Sequence, residues 1–477
     1  MSYGGLLKTA SAVAIFAAAG LYGTSTANAA DLGGNCCADL EERVAELEAT
    51  AVRKGNRKVS LAISGFVGQE VLYWNDGTQS DAYIGDSSNL TSRFRFTGTA
   101  KISPHVTAGF TYEWAGVTNS TGGGNQLNGG DDLGASGFAA GAGACGTVGI
   151  GSSTVGCLTT RDATVWMRHS QLGMVKIGQG STANDNLVLI DLGMMGVAGS
   201  PDIANHAGGY ILRSNNGALA NAAGITWAGA IRGHESFDNN RRNHVLYETP
   251  SLVGFTVQAA VAEDNYWDVA LRYAGEFSGI RIAGGIGYQE DTKFNSAAQI
   301  LSTVGALCTS NCDVKSTEVK GSLSIMHVPT GLFVTGSAGN RELEGTSGGT
   351  PATAYAGPDL RYWHLAGGIS QNFFGIGKTV MFGEYGEHKG GLAQTSFLGA
   401  STGTVHCANA TGCDSTVNNW GVGLVQYVDA AALELFATYK VFSLETNGFG
   451  QANASLNSGG AGASDIQLFM VGTKINF

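Results

Sequence analysis

The chain has 477 residues, 73 of them glycine and only 6 proline, with 43% hydrophobic residues, 14% charged residues and a formal net charge of −11. The hydrophobic content excludes a disordered chain, and the acidic balance argues against a nucleic-acid partner. No long apolar run follows the first 30 residues, which excludes a helical membrane protein and leaves a glycine-rich protein of β type.

Residues 1–29 read as a secretory signal peptide: Lys8, a small-residue apolar run from Ala10 to Leu21, and Ala27-Asn28-Ala29 as a small-x-small cleavage site. Lys8 is the only charge in this leader, so a mature chain starting at Ala30 carries 26 basic against 38 acidic residues. In the following segment, 30–57, Cys36 and Cys37 are adjacent and poorly placed to bond each other; bonds between subunits or free thiols are the two options. From Asp39 to Arg53, Leu40, Val44, Leu47 and Ala51 recur at helical spacing and form a short a/d seam. Two heptads are too few to stand alone, so this helix needs an oligomer partner or the body of the protein.

Residues 58–477 change texture to strict alternation. Arg93, Arg95, Thr97, Thr99 and Lys101 share one strand face, with Phe94, Phe96 and Ala100 on the other. The same period of two recurs around Val106–Trp114, Trp267–Tyr273 and Leu433–Val441. It predicts sixteen strands near 58–74, 91–102, 105–116, 162–170, 173–180, 243–249, 254–262, 266–275, 279–289, 316–326, 331–339, 360–371, 378–388, 416–428, 432–442 and 464–477. Short turns alternate with mostly long Gly/Ser/Asn-rich loops, as in a meander with one trimmed and one elaborate end. Three close cysteine pairs, Cys145/Cys157, Cys308/Cys312 and Cys407/Cys413, lie in the long loops and read as local disulfide staples. They lack the CxxC knuckles or histidine partners of a zinc site, and neither a metal nor a cofactor is expected.

An even strand number, asymmetric ends and tryptophans near strand ends (Trp74, Trp114, Trp267, Trp420) form the pattern of an all-β, antiparallel transmembrane barrel. A soluble sandwich would leave sixteen half-polar strands without a filled core, whereas closure pairs every backbone group and leaves no edge in lipid.

The blocks CCADLEERVAELEATAVRKGNRKVSLAISG, GMVKIGQGSTANDN, RNHVLYETPSLVGFTVQAA, EDNYWDVALRYAGEF, IRIAGGIGY and the terminal KINF resemble the alphaproteobacterial general porin family over nearly the whole mature chain. The resemblance implies a sixteen-stranded barrel in the outer membrane of a Gram-negative bacterium. It further implies a homotrimer embedded in outer-membrane lipid, whose water-filled pores pass small hydrophilic solutes and ions by diffusion. It places a long infolded third loop at about Ser181–Arg242, with the alternating stretch Ile225–Ile231 as an extra hairpin within it. On this reading the loop supplies acids at Asp185, Asp191 and Asp202. The facing wall supplies a basic ladder of Arg93, Arg95, Lys101, Arg168 and Lys176, with Glu70 and Glu113 in the same lumen paired to it, and Arg241-Arg242 at the ladder or the mouth. The start Ala30-Asp31 also resembles members joined covalently to peptidoglycan through the N-terminal amine; a free terminus is the alternative.

Two other functions compete. An outer-membrane hydrolase would use Asp131, Asp132 and His206, although nothing in their spacing makes them converge. A barrel plugged by its third loop would serve as a structural tether to the wall. The glycines of Gly141–Gly146 match a nucleotide-binding fingerprint only by abundance, since no helix pattern follows them.

Overall fold

The structure, a computed structural model, describes residues 59–87, 89, 91–117, 121–127, 157–199, 204–214, 217, 219, 226–232, 237–238, 241–263, 265–292, 313–347, 353–354, 358–392, 414–447 and 463–477. The leader, Ala30, Cys36, Cys37, the 39–53 segment, Asp131, Asp132, Asp202, Cys145, Cys308, Cys312, Cys407 and Cys413 lie outside the described residues, as does the side chain of Cys157.

One antiparallel sheet contains β1 (Ser60–Asn75), β2 (Ser80–Gly85), β3 (Arg93–Lys101), β4 (Val106–Val117), β5 (Cys157–His169), β6 (Gly173–Ser181), β7 (Arg241–Glu248), β8 (Phe255–Ala262), β9 (Tyr266–Phe277), β10 (Ile280–Asp291), β11 (Asp313–His327), β12 (Leu332–Ser347), β13 (Thr353–Ala354), β14 (Leu360–Gln371), β15 (Thr379–Lys389), β16 (Asp414–Val428), β17 (Leu433–Asn447) and β18 (Ala463–Asn476). It closes where β1 pairs with β18 from Phe66/Asn476 to Asn75/Gln467. The other edge of β1 pairs with β3 along Ser60–Phe66 and with β2 along Glu70–Asn75, so these two strands share one place in the wall, interrupted at 86–92. β13 and β14 likewise share one place beside β12. The wall therefore has sixteen positions, and closure satisfies the backbone groups that an open edge would expose.

Alternation sets the two faces. On β11, Val319 and Leu323 point outward, 46% and 50% exposed, while Lys320 between them is 1% exposed and faces inward. Trp267, Trp363 and Trp420 stand on the outer face and pack at tilted or edge-on angles against the neighbouring Tyr288, Tyr385 and Tyr439. Trp74 corrects the expectation of a girdle tryptophan: with Leu72 it occupies an even, inward position of β1 and is 2% exposed.

The connection 182–240 after β6, the fifth wall position, folds inward as the resemblance implied. Among its described residues are two short helices, α1 (Ala204–Ala207) and α2 (Trp227–Arg232). The expected hairpin around Ile225–Ile231 is thus corrected to a helix at 227–232, preceded by an isolated bridge between Ile211 and Thr226. Helical spacing places Trp227, Ala230 and Ile231 together in an apolar cluster with Leu72, Trp74, Phe442, Leu444 and Leu468 of the wall, which an extended segment would split between two faces.

Candidate pore constriction

Loop 3 (182–240) is tied to the wall in sequence. Leaving β6, Ala183 and Asn184 donate their backbone N–H groups to the Asp268 carboxylate on β9. Ser322 on β11 donates to the Leu187 carbonyl at 2.5 Å, and the Leu192 N–H donates to Ser324 at 2.9 Å. Tyr427 on β16 donates to the Met194 carbonyl, and the Val197 N–H reaches Glu434 on β17. Gly287 on β10 is needed for this close approach, because a Cβ there would run into Asn184 and Leu187. Gly196 has φ +63° beside Glu434, where a side chain would be strained and obstructed. The return limb is held by Arg213, which donates to Asp76 at 2.7 Å and to Gln79 at 2.5 Å in the first loop.

This path makes the lumen two-sided. Leu192, Met195, Val197 and Ala198 bury against Met326, Phe333, Ala366, Val380, Phe382, Val425 and Phe436, a dry packing along β11–β17. The inward charges on that side are buried pairs: Glu318 with Lys320 and Arg341 at 2.8 Å, Glu384 with Lys440, and Glu434 with Lys474 at 2.5 Å. The inner face of β3–β5 keeps contact with water at Arg95, Thr97, Thr99, Thr107 and Thr111.

On this wetter face Glu113 is the hub. Arg93 approaches it at 3.5 Å, Arg161 at 3.2 Å, and Arg95 donates to it from the neighbouring strand. Across from them Asp185 of loop 3 pairs with Arg241 at 3.3 Å and accepts from the Ser181 hydroxyl at 2.5 Å. Burial would raise the Asp185 carboxyl, but Arg241, the Ser181 hydroxyl and Arg161 outweigh it and hold the group below the usual carboxylate range.

Several expected members stand elsewhere. Lys101 is exposed at the turn end of β3, and Arg168 near the next turn pairs with Glu248 at 3.0 Å; neither joins the cluster. Lys176 donates to the Ser181 carbonyl at 2.9 Å, within electrostatic reach of Asp162 and Asp185. Glu70 faces inward but accepts from the Thr121 hydroxyl rather than from an arginine. Asp191 is used for folding: its carboxylate accepts the N–H groups of Gly193 at 2.7 Å and Met195 at 2.8 Å and the Thr335 hydroxyl at 3.3 Å, which holds Met194 at φ 65°. An Asp two residues before a glycine is a turn signal, and it announces this role in the sequence. Arg161 was not expected. A bulge between Glu113 and Trp114 leaves it without a partner in the ladder and turns it inward beside Asp162, breaking the period of two.

A closed barrel of sixteen wall positions, apolar outside and charged within, with a long loop folded into the lumen, defines an outer-membrane channel protein. The chain matches the family described as Gram-negative porin over residues 10–472 and belongs to it. No curated protein matches the chain. Solved structures of similar architecture include OmpT, an outer membrane protein of Vibrio cholerae, at 13% identity over 90% of this chain and 100% of that one, with a TM-score of 0.47. An anion-selective porin from Comamonas acidovorans is 15% identical over 88% of this chain and 100% of its own, with a TM-score of 0.45. A triple mutant of Rhodopseudomonas blastica porin is 11% identical over the same shares, with a TM-score of 0.39.

Proposed function

We propose that the chain forms water-filled channels for passive diffusion of small hydrophilic solutes and ions, with the constriction between Asp185 of loop 3 and the Arg93/Arg95/Arg161 wall. The observation that carries this reading is the contrast between the two sides of the lumen: dry packing along β11–β17, and polar, water-accessible side chains along β3–β5. Diffusion needs no catalytic group. Of the residues a hydrolase would use, His206 is 3% exposed and lies beside Lys440, Glu384 and His364, which supports the non-enzymatic reading. The single test is conductance of purified, folded protein in a planar bilayer. Stepwise ohmic currents are expected; their absence moves the plugged tether to the front, the reading favoured by the apolar clusters that loop 3 forms with the wall inside the barrel.

The channel is assembled as a homotrimer. On the outer face of β3 and β4, Phe94, Phe96, Tyr112 and Trp114 form a contiguous, partly covered aromatic group suited to a second copy. A trimer-sized band in unheated detergent samples checks this. The leader at 1–29 directs export, and Ala30 is the candidate amine for a peptidoglycan link; sacculi that yield only free N-termini after trypsin release would remove that link.

A further inference from the structure

Resting on the pore reading above, we propose that the constriction is a cationic filter whose preferred solutes are small anions, carboxylates and oxyanions such as inorganic phosphate. The chain as a whole is acidic, yet what a solute meets is decided by which charges are uncovered. The Arg95 side chain is 42% exposed and Arg161 20%, whereas the Glu113 carboxylate they share is 1% exposed, beneath them. Arg241 is 10% exposed and its partner Asp185 0%. Glu113 and Asp185 are covered by their own guanidiniums, while Asp162 beside Arg161 stays partly exposed.

The count agrees with the exposure. Among the described residues, Arg93, Arg95, Arg161, Arg241 and Lys176 face four carboxylates, those of Glu113, Asp185, Asp162 and Asp238, which leaves one positive charge over. Asp162 accepts from Thr164 at 2.5 Å and has Lys176 as a charge partner, and Asp238 accepts from the Asn186 N–H at 2.8 Å and keeps its charge. Exposed charges more than about 8–10 Å away are screened at ordinary salt, which weakens the effect of more distant acids among the described residues on this field. The packing along β11–β17 keeps solutes off that side and sends them past the guanidiniums, whose planar forks match carboxylate and phosphate oxygens.

The test is the zero-current potential of the native protein in a potassium chloride gradient, followed by inhibition of chloride current with inorganic phosphate. A chloride-to-potassium permeability ratio several-fold above one is expected, with phosphate reducing the current. The double variant Arg95→Gln/Arg161→Gln should bring the ratio toward one and weaken the phosphate effect. Arg95→Lys, which keeps the charge, should retain most of the ratio, and Lys389→Gln on the lipid-facing rim should leave it unchanged. Heat-modifiable gel mobility confirms that each variant is folded. A native ratio at or below one overturns the proposal, as does an unchanged ratio in the folded double variant. Folded native protein that conducts nothing overturns the pore reading beneath it instead.

Discussion

Arg161 reaches the Glu113 carboxylate at 3.2 Å only because β5 bulges beside it, so that Arg161 and its neighbour Asp162 both face the lumen. In a regular strand one of them would point into lipid, at a cost of about 2–4 kcal/mol for an arginine near the midplane. The bulge spares the chain that cost and adds a third guanidinium to a carboxylate already held by two.

Glu113→Gln should therefore be among the more damaging single substitutions in the barrel. It removes the countercharge from buried Arg93, and breaking a buried pair costs about 3–5 kcal/mol. Asp359→Asn, whose partner Arg361 is 67% exposed, should cost no more than about 1 kcal/mol. Denaturant titration of both variants in detergent micelles checks the ranking; equal midpoints would show that Glu113 does not organise the cluster.

Arg213→Ala should loosen the return limb of loop 3. Arg213 donates to Asp76 and Gln79, which ties the loop to the β1–β2 connection, and to the Gly217 carbonyl within the loop. The expected result is a noisier open channel and faster proteolysis of loop 3, with the barrel intact. Unaltered noise together with unaltered protease resistance would mean that the apolar cluster around Trp227 holds the limb by itself.

Acid should weaken the same limb through His206. Burial, reinforced by Lys440 and His364 and opposed by Glu384, holds its imidazole well below the ordinary value of 6.5. A base with a lowered folded-state pKa contributes stability that is fully present above its ordinary value and is lost as the pH falls below it. Loop 3 docking, followed by hydrogen exchange of α1 and α2, should be constant above about pH 6.5 and weaken progressively below it. His206→Asn should flatten that dependence, and an unchanged profile in the variant would assign it to other groups.

Val319→Arg and Lys320→Met address the two faces of β11. The first puts a charge into lipid at a cost of about 2–4 kcal/mol if Val319 lies near the midplane. The second leaves Glu318 paired with Arg341 and removes the Lys320 bond to the Phe237 carbonyl of loop 3, without touching lipid. Only Val319→Arg should impair insertion into vesicles; equal insertion defects in both variants would contradict the assignment of faces.

The period of two was sufficient for the wall. Each of the sixteen expected strands overlaps an observed one, because lipid outside and water or charge inside impose opposite demands on consecutive residues. β2 and β13 escaped it: each is a short piece that shares one wall position with the next strand and is too brief to show a period. Arg161 escaped it for a related reason, since a bulge appears only in the register with a partner strand and not in one strand's own alternation.

The sequence by itself determined the barrel, its two unequal ends, the inward course of the third loop and the sharing of one strand face by Arg93 and Arg95, since all of these follow from local pattern and from the blocks of family resemblance. Only the tertiary structure decided that Asp191 braces a turn, that Glu70 binds a threonine and that Arg161 joins Glu113. These outcomes depend on which far-apart side chains the closed sheet and the loop bring within hydrogen-bond distance, and on which carboxylates they leave covered.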